Sequence, residues 1–149
     1  MKQIKQIANA SNFKAVDFGE LSELKDYVLE LGTEMKIPGK VFGGTVLGAD
    51  GGDFSFQMFQ PGTETGFLHK HKQHEELYFF LRGKGEFQVD GQIFPIKEGS
   101  VVRVAPEGER SVRNNGTEPL IMLCVQYKGN TFTAEDASDG IILEKQVKW

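Results

Sequence analysis

The spacing of apolar residues changes near residue 40 and divides the chain into parts. Before that point, within residues 19–36, apolar side chains recur at steps of three and four with charges between them. This spacing is typical of one apolar stripe on an amphipathic helix. Pro38 and Gly39 end the pattern. We therefore expect residues 1–40 to form an arm followed by a helix that packs outside a larger unit. The stripe consists of Leu21, Leu24, Val28, Leu31 and Met35.

From Val41 onward the apolar residues alternate with a period of two, in short runs separated by turn signals. Runs of this length at roughly 8–12-residue spacing favour an antiparallel sandwich or a closed barrel. The pair Asp90-Gly91 predicts a hairpin, because these residues tolerate the positive φ angles of a type I′ turn. We expect an all-β domain over residues 41–128, and a C-terminal extension, residues 129–149, packed on it as a strand or a helix. The runs are KVFGGTVLG, DFSFQMF, GFLHKH, ELYFFL, GEFQV, QIFPI, SVVRVA, RSVRN and PLIMLCVQY.

Composition and charge exclude several classes of function. A chain of 149 residues fits a single domain, and its net charge of −4 with dispersed basic residues argues against binding to nucleic acid or to an anionic membrane. No apolar stretch approaches the roughly 20 residues of a membrane span, and we recognise no signal peptide. The single cysteine, Cys124, cannot form an internal disulfide. We expect a cytoplasmic protein.

All three histidines of the chain lie within six positions. If HKH is part of a strand, His69 and His71 share one face, because side chains alternate across a strand. Two imidazoles placed in this way form a natural pair of metal ligands. The next strand begins with Glu75 and Glu76, and one of these two carboxylates faces the histidines if the hairpin folds back beside them. His74 would then be a loose third imidazole.

The pattern His69-Lys-His71-x4-Glu76-x6-Gly83 resembles the first signature of the cupin superfamily, in which two histidines and a glutamate precede a glycine turn. The spacing to Gly83 makes Glu76, not Glu75, the ligand that the resemblance implies. The second cupin signature resembles the segment IKEGSVVRVAPEGERSVRNNG.

Gly99, Pro106 and Asn114 match this second signature, and the resemblance covers roughly residues 41–127. It implies a double-stranded β-helix, or jelly-roll barrel, with the N-terminal helix packed outside. The chain looks like a small single-domain bacterial cupin.

One residue departs from the family pattern. Many metal-binding cupins carry a third histidine where this chain has Arg110. Arginine cannot ligate a cation, so the implied ligand set is His69, His71 and Glu76. Two histidines and one carboxylate suit iron, and manganese, nickel or zinc are alternatives.

Three functions remain open on this basis. In the first, a divalent metal at these ligands binds a small anionic metabolite and supports dioxygenase- or isomerase-like chemistry, with Arg110 clamping the anion and Tyr78 as a candidate proton donor. In the second, no metal is bound, Arg110 pairs with Glu76, and the histidines act as bases, as in metal-free sugar epimerases of the superfamily. In the third, the barrel binds a small molecule without transforming it.

The strand ELYFFL is apolar on both faces. Leu77, Phe79 and Leu81 need a cover, because a strand of a single sandwich usually shows polar residues on the side that faces water. The cover is the N-terminal helix, the C-terminal extension or a second copy of the protein, and we predict a homodimer.

Overall fold

The computed structural model describes residues 2–149, which form mainly antiparallel strands. The strands are β1 Lys5–Ala10, β2 Phe13–Asp17, β3 Val28–Leu31, β4 Met35–Pro38, β5 Lys40–Phe42, β6 Asp53–Phe59, β7 His74–Arg82, β8 Lys84–Val89, β9 Gln92–Lys97, β10 Val101–Val104, β11 Arg110–Arg113 and β12 Leu120–Lys128. The helical segments are the α-helix α1 Gly44–Leu47 and two 3-10 helices, Leu21–Asp26 and Asp136–Ser138. No helix in the described part of the chain is long and apolar enough to cross a membrane.

Two sheets enclose the main core. The larger sheet has the strand order β10-β7-β12-β6-β5, and the smaller has the order β11-β8-β9. Alternate residues of both sheets point inward and pack as one apolar cluster, in which the Phe80 and Phe87 rings meet edge to face. This is the antiparallel all-β arrangement that the period-two pattern predicts and the jelly roll that the cupin resemblance implies. The cluster contains Phe59, Tyr78, Phe80, Phe87, Ile96, Val104, Val112, Leu120, Met122 and Cys124.

The hairpin predicted at Asp90-Gly91 connects β8 to β9 through a two-residue turn. Asp90 has a φ of 50° and Gly91 a φ of 79°, the positive angles that a type I′ turn requires. The turn is tied to the start of β11, because the carboxylate of Asp90 accepts a hydrogen bond from the Glu109 backbone at 2.9 Å.

The prediction of a long helix over residues 19–36 is wrong. Only residues 21–26 are helical, as a 3-10 turn, and β3 and β4 then form a hairpin. Gly32 lies in the turn between these strands with a φ of 65°, a conformation that favours a turn over a helix. The spacing of apolar residues in this segment is compatible with a helix and with strands. The predicted apolar stripe is not buried as a unit, since Leu31 and Met35 are 48% and 44% exposed.

The 3-10 turn covers the outer face of the larger sheet. Leu24 and Tyr27 pack there against Met58 and Ile121 in a second apolar cluster. Backbone hydrogen bonds link Gly39 to Tyr27 and to Met58 at 2.8 and 2.9 Å. These contacts attach the β3–β4 hairpin to the edge of the barrel.

The two ends of the chain lie outside the barrel sheets. β1 and β2 pair with each other as a separate hairpin. Every residue from 131 to 149 is exposed, so the predicted packing of residues 129–149 on the barrel is not observed in the single chain.

Candidate metal and ligand site

Strand β7 carries two polar side chains into the apolar interior. Glu76 and Tyr78 occupy alternate positions, so both point inward, and they are only 5% and 3% exposed. On the neighbouring strand β12, Gln126 lies opposite Glu76 and Cys124 lies opposite Tyr78. A buried carboxylate needs partners in such surroundings, and the residues that supply them define the site.

His69 and His71 lie in the loop before β7, not in the regular strand that the pattern of GFLHKH predicts. The loop is nevertheless locally extended, because His69 and Arg110 form an isolated antiparallel bridge with backbone hydrogen bonds of 3.0 and 3.3 Å. The backbone of His71 donates to the Pro106 carbonyl at 2.9 Å. Both imidazoles therefore point to the same side, because side chains alternate along this extended loop as they would along the predicted strand.

The two histidines and Glu76 converge. His71 Nε2 lies 3.2 Å from Glu76 Oε1, and His69 Nε2 lies 3.9 Å from Glu76 Oε2. One ligand atom from each of the three residues lies within 4.8 Å of the other two. His74 stays outside this cluster: it is exposed, with its ring 5.9 Å from that of His71.

Arg110 is fully buried beside the cluster. Its Nη2 lies 3.0 Å from Glu76 Oε2, and its Nη1 donates to the Gly108 carbonyl at 2.8 Å. Longer contacts of 3.4 Å join Nη1 to the carbonyls of His69 and Pro106. The guanidinium is therefore held by the chain itself and neutralises the charge of Glu76.

Two further groups donate to the Glu76 carboxylate. The Tyr78 hydroxyl donates to Oε2, and the Cys124 thiol donates to Oε1 at 3.4 Å. Cys124 was not identified from the sequence as a partner of Glu76, and the pairing of β12 with β7 places it there.

Burial and these contacts shift the ionisation of the cluster. Burial raises the pKa of Glu76, but the Tyr78 hydrogen bond and the Arg110 charge outweigh it, so this pKa lies below its ordinary value. Burial is also the main cause that raises the pKa of Tyr78 and of Cys124, which keeps both protonated at neutral pH. For His69, burial lowers the pKa to about 4, which leaves its imidazole neutral.

The cluster lies in a cavity of about 260 Å³. Gln57 and Gln126, whose directions the sequence leaves open, both line it. Lys40 also lines the cavity. It was not identified from the sequence, although it lies on the same face of the short strand β5 as Phe42. Leu29, Leu31 and Ile37 of the β3–β4 hairpin and Phe67 complete an apolar side of the cavity.

The residues present fit a divalent metal ion. His71 Nε2, although 3.2 Å from Glu76 Oε1, makes no hydrogen bond, and His69 Nδ1 is buried without a hydrogen-bond partner, whereas buried polar atoms of this kind normally have one. Neutral imidazoles and an ionised carboxylate are the donors that first-row divalent metals accept. Arg110 and Tyr78 engage Oε2, whereas Oε1 faces His71 and accepts a hydrogen bond from the Cys124 thiol at 3.4 Å, so Oε1 is the carboxylate oxygen better placed for a metal.

Comparison with known proteins agrees with this architecture. The family model for the cupin domain matches residues 55–126. An oxalate-binding protein of Thermotoga maritima is 36% identical over 72 residues, which cover 48% of this chain and 59% of that protein. An L-ectoine synthase of Halomonas elongata is 34% identical over 98 residues, 63% of this chain and 69% of that enzyme.

Among solved structures, a cupin protein of Bacteroides fragilis is similar with a TM-score of 0.67 and 28% identity, over 77% of this chain and 94% of that one. This chain spans between one half and two thirds of the length of the first curated relatives that it matches. The sheet order, the inward cluster on β7 and these similarities lead to one assignment: the chain belongs to the cupin superfamily.

Proposed function

We propose that the protein binds a divalent metal ion through His69, His71 and Glu76 and binds a small organic anion at that metal. The observation that carries the proposal is the convergence of three donor groups within 4.8 Å in a cavity of about 260 Å³. A cavity of this volume lies just below the range of about 300–1,000 Å³ that is common for drug-sized ligands, so it suits a small metabolite.

The charges around the cavity favour an anion. Arg110 already offsets the single negative charge of Glu76, and Lys40 adds a further positive charge to the lining. A divalent ion at this site would therefore leave a net positive charge in a region of low polarity, which an anionic ligand would neutralise. The similarity to a protein whose name states that it binds oxalate supports a carboxylate ligand.

The chain's own residues would have distinct roles in this site. When bound, the metal would polarise a carbonyl or carboxylate oxygen of the ligand. Tyr78 and Arg110 both contact Glu76 Oε2, so we assign them to holding the carboxylate in place, with Oε1 directed at the metal. Arg110 would act on the ligand through its charge, since its guanidinium nitrogens already contact Glu76 and the Gly108 carbonyl. The predicted role of Tyr78 as a proton donor to the ligand fits these contacts less well, because its hydroxyl already donates to Glu76 and burial raises its pKa.

Elemental analysis of the purified protein tests the metal directly. We expect about one ion per chain in the wild-type protein and a loss of most of it in the His69→Ala, His71→Ala double variant. His74→Ala is the matched control, because its exposed imidazole lies outside the cluster, and it should retain the ion. A wild-type protein that takes up no iron, manganese, nickel or zinc, even when it is refolded or grown with them, would refute the proposal.

A second candidate function rests on the ion pair between Arg110 and Glu76. With Nη2 3.0 Å from Oε2, the positive charge of Arg110 compensates the carboxylate without any metal. The histidines could then act as bases in a metal-free isomerisation or epimerisation of a sugar derivative. Turnover that persists in the presence of a strong chelator would favour this candidate over the metal-dependent one.

We also propose that the protein forms a homodimer. On the outer face of the larger sheet, Leu77, Phe79, Leu123 and Val125 are only half-buried, and Val101 is 56% exposed. The register places Phe79 between Val101 and Leu123, so these side chains form a continuous apolar row. A contiguous apolar surface of this kind is typical of a protein–protein contact.

A further inference from the structure

Part of the cavity lining is apolar, and the β3–β4 hairpin contributes Leu29, Leu31 and Ile37 to it. The register of the hairpin places Leu29 across from Ile37 and Glu30 across from Lys36. Because side chains alternate along each strand, the apolar pair faces the cavity, while Glu30 and Lys36 form a 2.8 Å ion pair on the other face. The hairpin is therefore amphipathic, and its apolar face has a ligand cavity against it.

Lys40 brings a positive charge to the same cavity. Its side chain is half-buried, its Nζ lies 5.4 Å from the centre of the Phe42 ring, and none of the described carboxylates lies within salt-bridge distance of it. Burial lowers the pKa of Lys40, while Glu76 and Cys124 act in the opposite direction, which agrees with its position facing the cluster. The carboxylate of Glu64 also lines the cavity, but it is exposed and its charge is screened by solvent.

We infer that the ligand is an organic acid with an apolar portion, whose carboxylate lies between Lys40 and the His69–His71–Glu76 cluster and whose apolar portion lies against Leu29 and Ile37. The inference rests on the proposed binding of a small anion. A two-carbon acid would leave the apolar residues of the cavity without an apolar group to contact. Each methylene that is fully buried there would tighten binding by roughly fourfold.

Isothermal titration calorimetry with acetate, hexanoate and 1-hexanol tests this assignment on the full chain. We expect the wild-type protein to bind hexanoate at least tenfold more tightly than acetate. Lys40→Gln should weaken hexanoate binding by at least tenfold and leave hexanol binding unchanged. Lys36→Gln, on the outer face of the same hairpin, is the matched control and should change neither.

The apolar contact is tested by a second pair of variants. Ile37→Ser should reduce the preference for hexanoate over acetate to threefold or less, while Ile93→Ser, an exposed position that does not line this cavity, should preserve it. Equal binding of acetate and hexanoate by the wild-type protein, or wild-type hexanoate binding by Lys40→Gln, would overturn the inference.

Metal content measured on the same samples separates the two proposals. Bound metal without a chain-length preference would overturn only the ligand assignment. A chain-length preference that requires Lys40, in protein that binds no metal, would overturn the metal site and leave the ligand assignment standing.

Discussion

At the scale of single residues, the site depends on how Glu76 is kept ionised inside an apolar core. Burial alone would favour the protonated acid, and the contacts with Tyr78 and Arg110 reverse that preference. The partners of Glu76 therefore contribute to stability as well as to the proposed function. This gives two predictions that concern one side chain each.

Tyr78→Phe removes one hydrogen bond to a buried carboxylate and leaves the aromatic packing in place. Hydrogen bonds to charged groups contribute about 1.5–3 kcal/mol, so the free energy of unfolding should fall by about 2 kcal/mol in urea denaturation. Tyr127→Phe is the control, because Tyr127 donates to Glu75 in a more exposed position, and it should cost less than about 1 kcal/mol. Equal losses in the two variants would contradict the buried role of Tyr78.

Arg110→His should tighten metal binding. The substitution removes a positive charge 3.0 Å from a ligand carboxylate and adds a third imidazole beside the cluster. We expect the dissociation constant for Ni²⁺ or Mn²⁺ to decrease at least tenfold in competition with a chelator. Arg113→His is the control, since Arg113 lies on the same strand but pairs with Glu86 at the surface. A weaker site in Arg110→His, with circular dichroism unchanged, would refute this account of Arg110.

The sequence predicts the ligand cluster better than it predicts the rest of the cavity. His69 and His71 follow from alternation over a few residues, and the choice of Glu76 over Glu75 follows from the resemblance to the cupin signature. Lys40 does not, because a three-residue strand gives too little pattern to determine which of its faces is buried, and only the pairing of β5 with β6 directs Lys40 inward.

At the scale of elements, the strands of the barrel are predictable and the segment before it is not. The runs that form β6 to β12 are short, rich in apolar residues and bounded by turn residues. Residues 19–36 are compatible with a helical and with a strand period, and the packing of Leu24 and Tyr27 against Met58 and Ile121 favours the observed 3-10 turn and hairpin over one long helix. That contact is made with residues far along the chain, which no local pattern contains.

The hairpin at Asp90-Gly91 provides the prediction at this scale. Gly91→Ala places a Cβ at a φ of 79°, which strains a non-glycine residue although no atom lies within 4 Å. We expect a loss of about 1 kcal/mol in the free energy of unfolding. Gly51→Ala also meets open space but has no positive φ, so it should change stability by less than about 0.5 kcal/mol. Similar losses in both variants would show that the turn conformation is not the cause.

At the scale of the whole molecule, the outer apolar row predicts a dimer that a charge can disrupt. We expect light scattering at micromolar concentration to give twice the mass of the chain. Val101→Glu should give a monomer, because Val101 lies at one end of the row beside Phe79. Ile93→Glu, equally exposed at 58% but on the smaller sheet, should leave the dimer intact. A monomeric wild-type protein would remove this prediction.

Glu76 is central at each of these scales, since one strand carries it into the barrel, a network of neighbours keeps it ionised, and the loop histidines converge on it as candidate metal ligands. The most direct test is a calorimetric titration of chelator-treated protein with Mn²⁺ or Ni²⁺, beside the Glu76→Gln variant and its neighbour Glu75→Gln. The account predicts one ion per chain in the wild-type protein and in Glu75→Gln, and at least a hundredfold weaker binding in Glu76→Gln. Binding that is absent in the wild-type protein, or equal in the two variants, would contradict it.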